Sequence, residues 1–181
     1  MKNPDIPITD DHIHIDPRNG RGLAAARDFQ RAGGTHLFMV SKPSLSFGIV
    51  PDTGEEFREV FDETIAVANA VRKLGLTVFV VLGVHPAEMS RLLNWIPLDT
   101  VVSVMKRGLD IAGEYVLDGR AVALKSGRPH YEVPSEVLDA SNEVLSHALS
   151  LAARLGCAVQ IHAESGPCAD VVDRAARAGL P

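Results

Sequence analysis

Five short apolar runs, each followed by a longer stretch with helical spacing, constrain this 181-residue chain more than any other feature. The runs fall near residues 8–15, 35–40, 77–84, 121–125 and 158–163, and each has the length and β-branched content of a strand. Helices are predicted near 22–32, 55–74, 98–116, 135–155 and 169–178. The second is clearest, because Phe57, Phe61, Ile65, Ala68, Val71 and Leu74 recur at three- and four-residue steps and Gly75 stops it. Lys73-Leu74-Gly75 and Arg154-Leu155-Gly156 both place a cation in the last helical turn and a glycine at the stop. Repeated βα units with such short returns demand a parallel sheet, either open and doubly wound or closed into a barrel.

The distribution of polar residues separates the two. His12 and His14, Ser41 and Lys42, His85, Lys125 and Arg128, and His162 and Glu164 all sit within or just after the C-terminal part of a strand. In a (β/α)8 barrel all such strand ends converge on one mouth. An open sheet usually announces a nucleotide by a Gly-x-Gly-x-x-Gly first turn, and Asn19-Gly20-Arg21-Gly22 lacks that spacing. The prediction is an α/β, (β/α)8 TIM-barrel-type fold, with residues 1–181 forming a single domain that holds its first five βα units. Within the first strand, alternation puts His12 and His14 on one face and turns Ile13 and Ile15 to the other. That face can hold a metal.

Composition excludes other classes. Apolar residues make up 46%, charged residues 23%, and the formal net charge is -5, so neither disorder nor bulk electrostatic binding of nucleic acid is expected. Residues 1–5 lack a secretory apolar region and no run reaches membrane-spanning length, which reads as a cytoplasmic chain with no membrane partner. Cys157 and Cys168 flank a histidine without metal-knuckle spacing and are expected to be reduced, Cys157 as a strand packing residue. There is no Gly-x-Ser-x-Gly elbow for a serine nucleophile.

The succession Asp11-His12-Ile13-His14, Gly83-Val84-His85-Pro86, Gly127-Arg128-Pro129-His130-Tyr131 and Gln160-Ile161-His162-Ala163-Glu164 resembles the TatD-related metal-dependent hydrolases, particularly their archaeal-type branch within the amidohydrolase superfamily. The resemblance spans essentially the whole chain. It implies a barrel in which His12 and His14 ligate one divalent metal and His162 its neighbour, two ions drawn from Zn, Mg or Mn, with His85 facing substrate. It also implies metal-assisted hydrolysis of ester bonds, as in a deoxyribonuclease or phosphodiesterase, on a small-molecule or nucleic-acid phosphate ester. Arg18, Lys42 and Arg128 follow the first, second and fourth strands and would suit an anionic substrate, with Arg128 as its clamp. Residues 48–54 read as a lid or a linker. The oligomeric state is left open.

Two departures from the family pattern stand out. Many relatives carry a metal-bridging glutamate in the fourth strand, within Gly-Glu-x-Gly, whereas this chain reads Leu124-Lys125-Ser126-Gly127. An ammonium about 4 Å from a divalent ion is opposed by roughly 8 kcal/mol at an effective dielectric of 20, so Lys125 cannot sit there charged. Depressed to a neutral amine, it can react with carbon dioxide and bridge metals as a carbamate, or else contact substrate in a one-metal site. The second departure is length. Family barrels run to about 250 residues, and the histidine and aspartate that relatives supply from strands six and eight are not in this sequence. The expectation is the N-terminal part of a longer barrel, inactive if it ends at Pro181, with strands one and five unpaired at its edges. An amidohydrolase or lactonase using a carboxylated Lys125, and a catalytically silent protein, are the alternatives.

Overall fold

Period-two alternation along the central strands explains why they read as unbroken apolar runs: both of their faces are covered. In β3 (Thr77–Gly83), Val78, Val80 and Leu82 turn outward to the helices, while Phe79 and Val81 turn inward. The computed structural model describes residues 6–163 and 168–180. The chain order is β1 (Thr9–Ile13), α1 (Leu23–Arg31), β2 (His36–Val40), a 3-10 turn (Ser44–Phe47), α2 (Phe57–Arg72) and β3. It continues through α3 (Ala87–Leu92), α4 (Leu98–Leu117), β4 (Ala123–Gly127), α5 (Ser135–Leu155), β5 (Ala158–His162) and α6 (Ala169–Arg177). The five strands are parallel in the order β1-β2-β3-β4-β5. Among the described residues, no helix is long and apolar enough to cross a membrane.

The main core lies between the sheet and its helices, where Leu37, Met39, Leu82 and Leu124 meet Phe57, Phe61, Leu109 and Ile111. Each such side chain contributes about 1.5–3 kcal/mol by leaving water. Ile13 and Ile15 pack on this layer, as alternation along β1 requires. A smaller apolar cluster of Val40, Val81 and Ala123, with Phe38 against it, fills the inner face below the strand ends.

The sheet is curled into a half-barrel. Gln160 on β5 donates from Nε2 to the carbonyl of Asp11 on β1 at 2.7 Å, although these strands are the two ends of the sheet. Laid flat, four strand spacings would separate them by about 19 Å, far beyond a glutamine's reach. Two glycines permit the close approach at the C-terminal edge. A Cβ on Gly83 would lie 1.9 Å from the Lys125 carbonyl oxygen, and one on Gly127 would lie 2.0 Å from that of His162.

The loops that follow β1, β2 and β3 are cross-braced around this edge. Lys42 pairs with Asp16, joining the first two. Glu88, fully buried in the first turn of α3, accepts from the Ser44 amide at 2.5 Å and from the Ser44 hydroxyl at 3.0 Å, joining the second and third. Residues 48–54 are likewise tied down, since Thr53 and Gly54 donate to the Glu56 carboxylate at the entry to α2.

Burial pushes the Glu88 carboxyl up from its ordinary value, against the opposing effect of its bonds to Ser44 and of Arg91. Its charge therefore costs stability as pH rises from the unfolded carboxylate range through the raised folded value. Glu88→Gln keeps an acceptor for the amide and offers a donor to the hydroxyl; it should flatten that pH dependence and unfold at or above the wild-type midpoint at pH 7. Glu88→Ala should lose roughly 1–3 kcal/mol by urea denaturation at every pH.

Candidate active site

The inward residues at the strand ends build the site. Lys125 stands on β4 and is only 1% exposed. His12 and His14 rise from β1, His85 follows β3, and His162 ends β5. His14 lies just beyond the strand, because β1 carries a bulge between Asp10 and Ile13, with the His12 amide turned to the Asp10 carboxylate at 3.0 Å. Bulges re-aim side chains beside functional sites, and here the two rings meet edge-on with centroids 5.1 Å apart. The His85 and His162 rings lie 4.8 Å apart.

A fifth strand-end imidazole joins them. His130 sits 5.0 Å from His162 between ring centroids, with its Nδ1 2.9 Å from His162 Nε2, so one of those nitrogens carries the proton and the other accepts it. The sequence reading quoted His130 within a motif without giving it a place in the site. Its position three residues after β4 was the available signal. Tyr131 extends the loop over α3, where its hydroxyl donates to Ser90 at 2.8 Å.

The electrostatics follow from one buried amine. Lys125 makes no hydrogen bond or ion pair among the described residues, and desolvation brings it down from 10.5 to about 8. His12 is lowered first by its own desolvation and then by Lys125; His162 follows the same order, with His130 adding to it. His14 is also lowered chiefly by desolvation, although its bond to Val40 opposes the shift. His85 falls to about 3, from burial, then Lys125 and His162. All four are neutral imidazoles at pH 7.

Neutral imidazole is the form that binds a divalent metal, usually with its second nitrogen bonded to main chain or carboxylate. His14 fits that description. Its Nδ1 lies 2.8 Å from the Val40 carbonyl, which can only accept, so Nδ1 carries the proton and Nε2 keeps its lone pair. A lysine ammonium does not fit beside a metal, whereas the neutral amine or its carbamate does. Among the described residues, no three His, Cys, Asp or Glu side chains are gathered closely enough to enclose an ion. The donors fit in kind and form a partial set. Glu164, which the sequence reading grouped with His162, lies outside the described residues.

Arg128 reaches toward α5 and α6. Its guanidinium, 4% exposed as a residue, donates to both Asp170 carboxylate oxygens at 2.6 and 3.2 Å and reaches Asn142 at 3.3 Å. Its amide donates to the His162 carbonyl at 2.7 Å, so it links β4, β5, α5 and α6. Arg18 meets Glu63 at 3.3 Å, and Lys42 is held by Asp16, whose carboxyl that bond brings down to about 2. Each cation proposed for an anionic substrate already has a carboxylate.

A curled parallel βα sheet with imidazoles converging at its strand ends is the arrangement in which barrel-type folds place their functional sites. The sequence matches the family described as TatD related DNase over residues 9–180, and the chain belongs to that family. It is also similar to the uncharacterised protein MJ1127 of Methanocaldococcus jannaschii, with 35% identity over 163 residues. That match covers 88% of this chain and 56% of the relative, so the chain spans about half the relative's length. Members of the family are typically hydrolases and generally use divalent metals.

Two outcomes follow from the site's charges. Protonating Lys125 in the folded protein is disfavoured, so the unfolded chain binds the extra proton between about pH 8 and 10.5, and stability rises with pH across that window. In buffer free of carbon dioxide, Lys125→Met should abolish that rise and raise the midpoint at pH 7; an unchanged pH profile would mean Lys125 is solvated. Arg128→Ala should cost roughly 1–3 kcal/mol and expose the α6 amides to hydrogen exchange. Full protection of α6 in that variant would show that the Asp170 pair holds nothing.

Proposed function

We propose that this chain is a metal-dependent hydrolase of ester bonds whose substrate class is a phosphodiester, DNA included. The observation that carries this reading is the set of neutral imidazoles around a buried lysine that has no partner among the described residues, at the strand ends of a chain of the TatD-related family. His12 and His14 would hold one divalent ion, with His162 and Lys125 serving its neighbour. Zinc and manganese suit imidazole donors better than magnesium does. When bound, such ions supply Lewis-acid polarisation of a phosphoryl oxygen and a water acidic enough to react near neutrality.

The chain's own residues prepare that chemistry. Val40 fixes His14 with its Nε2 lone pair outward. With its pKa lowered to about 8, the Lys125 ammonium can give up a proton to water; the freed nitrogen lone pair can then bond to the carbon of carbon dioxide as one C=O π pair moves to oxygen and a second N–H proton leaves to water, which replaces a repulsive cation with a carbamate anion. The family match is to DNases, and no observation favours the lactonase alternative. The free thiols of Cys157 and Cys168 suit a reducing, cytoplasmic setting.

Metal analysis paired with turnover tests the reading. Wild-type protein loaded with manganese or zinc should retain the ion through desalting and cleave bis-(p-nitrophenyl) phosphate or a DNA strand in preference to a lactone. The double variant His12→Ala with His14→Ala should lose both ion and turnover while staying folded. Lys125→Glu should be the best-tolerated change at that position and Lys125→Arg among the worst, since a guanidinium stays charged. Unchanged metal content in the double variant would sink the proposed ligands.

A further inference from the structure

Two main-chain groups set the imidazoles of this mouth in opposite tautomers. The Val40 carbonyl can only accept, which leaves His14 with a proton on Nδ1 and a lone pair on Nε2. The Ala87 amide can only donate, and it donates to His85 Nδ1 at 3.1 Å. That bond consumes the Nδ1 lone pair, so the neutral His85 ring must carry its proton on Nε2. Nε2 makes no hydrogen bond among the described residues, and the ring packs beside His162 at the strand ends. The bond to Ala87 is local, two residues along the chain, and Pro86 between them has its φ fixed, so the ring is held by the same turn that starts α3.

We infer that His85 is a hydrogen-bond donor to a substrate oxygen and is not a metal ligand. An Nε2–H has no lone pair to give an ion, so His85 is excluded from the ligand set in spite of lying next to His162. What it can give is a directed N–H toward an oxygen that gains negative charge, such as a non-bridging phosphoryl oxygen as a phosphorus–oxygen bond forms or breaks. A neutral donor suits a place already crowded with positive charge. It stabilises the anion without adding to the repulsion that Lys125 or an ion would feel. Buried Glu88, three residues on, holds the neighbouring loop against this turn and so supports the same geometry.

This inference rests on the hydrolase reading for the name of the reaction, yet it is tested apart from it. Long-range proton–nitrogen NMR of the whole chain, without metal, should show a pyrrole-type Nε2 and pyridine-type Nδ1 for His85, and the reverse for His14. Inorganic phosphate, used as the probe, should move the His85 Nε2–H resonance, and His85→Ala should weaken phosphate binding by about ten- to a hundredfold. His85→Gln, which keeps a side-chain N–H, should recover part of that loss. In turnover, His85→Ala should lower kcat by roughly 10²–10³ with KM much less affected, and zinc content should stay at the wild-type level. A protonated Nδ1 on His85, no response to phosphate, or loss of zinc in His85→Ala would each overturn the inference. Absence of metal uptake and turnover in the wild type, with the tautomers and the phosphate response as stated, would overturn the hydrolase reading and leave the donor in place.

Discussion

The curl of the sheet is the constraint on which the site depends. Side chains on a flat five-stranded sheet would spread His12 and His162 along about 19 Å of edge, too far for shared chemistry. Closing the ends until Gln160 reaches the Asp11 carbonyl turns that edge into a rim. The close approach falls on Gly83 and Gly127, where neighbouring carbonyls occupy the space a Cβ would need. Any larger residue at either position must push β3, β4 or β5 apart. The same two glycines begin the segments that deliver His85 and His130, so one backbone requirement shapes the rim and supplies its imidazoles.

The rim then acts on its own electrostatics. Lys125 is buried beneath the rings, and His12, His14, His85 and His162 each feel both lost water and that charge. Burial pushes the rings and the amine alike toward their neutral forms, and for the rings the Lys125 charge adds to it. An arrangement that resists protonation throughout is poor at binding protons and well matched to binding something else that is positive, provided Lys125 is first converted or displaced. Breaking the lysine's isolation with a nearby carboxylate would restore its charge and spoil the match. This gives physical meaning to an ionisable side chain that has no partner among the described residues in a site where most charges have one.

Much of the fold was legible because it rests on local pattern. Short apolar runs found the five described strands, and apolar spacing with glycine stops found five helices within a few residues of their ends. Helix α3 was not legible: six residues between Pro86 and Pro97 give too little periodicity to read. The bulge in β1 was also hidden, since it depends on register against β2 and not on the His12-Ile13-His14 spacing itself. Five parallel strands in a curled half-barrel are what the described residues hold, which is consistent with part of the barrel that the βα repeat predicted. Of the site, the residues that share the inward face were readable from strand parity. Their partners were not. Arg128 and Asp170 are 42 positions apart and Lys42 and Asp16 are 26 apart, so nothing local tells that these charges neutralise one another.

That neutralisation changes how an anion would be held. With Arg18, Lys42 and Arg128 each matched by a carboxylate, long-range attraction of a polyanion by those side chains is weak. The paired cations serve instead as braces: Lys42 binds the first loop to the second, and Arg128 ties α6 to the ends of β4 and β5. Recognition of a phosphate must then fall to short-range groups on the rim, meaning neutral N–H donors and whatever ion the imidazoles hold. Such groups act only at contact distance, where direction matters more than net charge. On the proposed hydrolase reading, such a site would select by the geometry of one phosphoryl group and draw little affinity from the length of the chain that carries it.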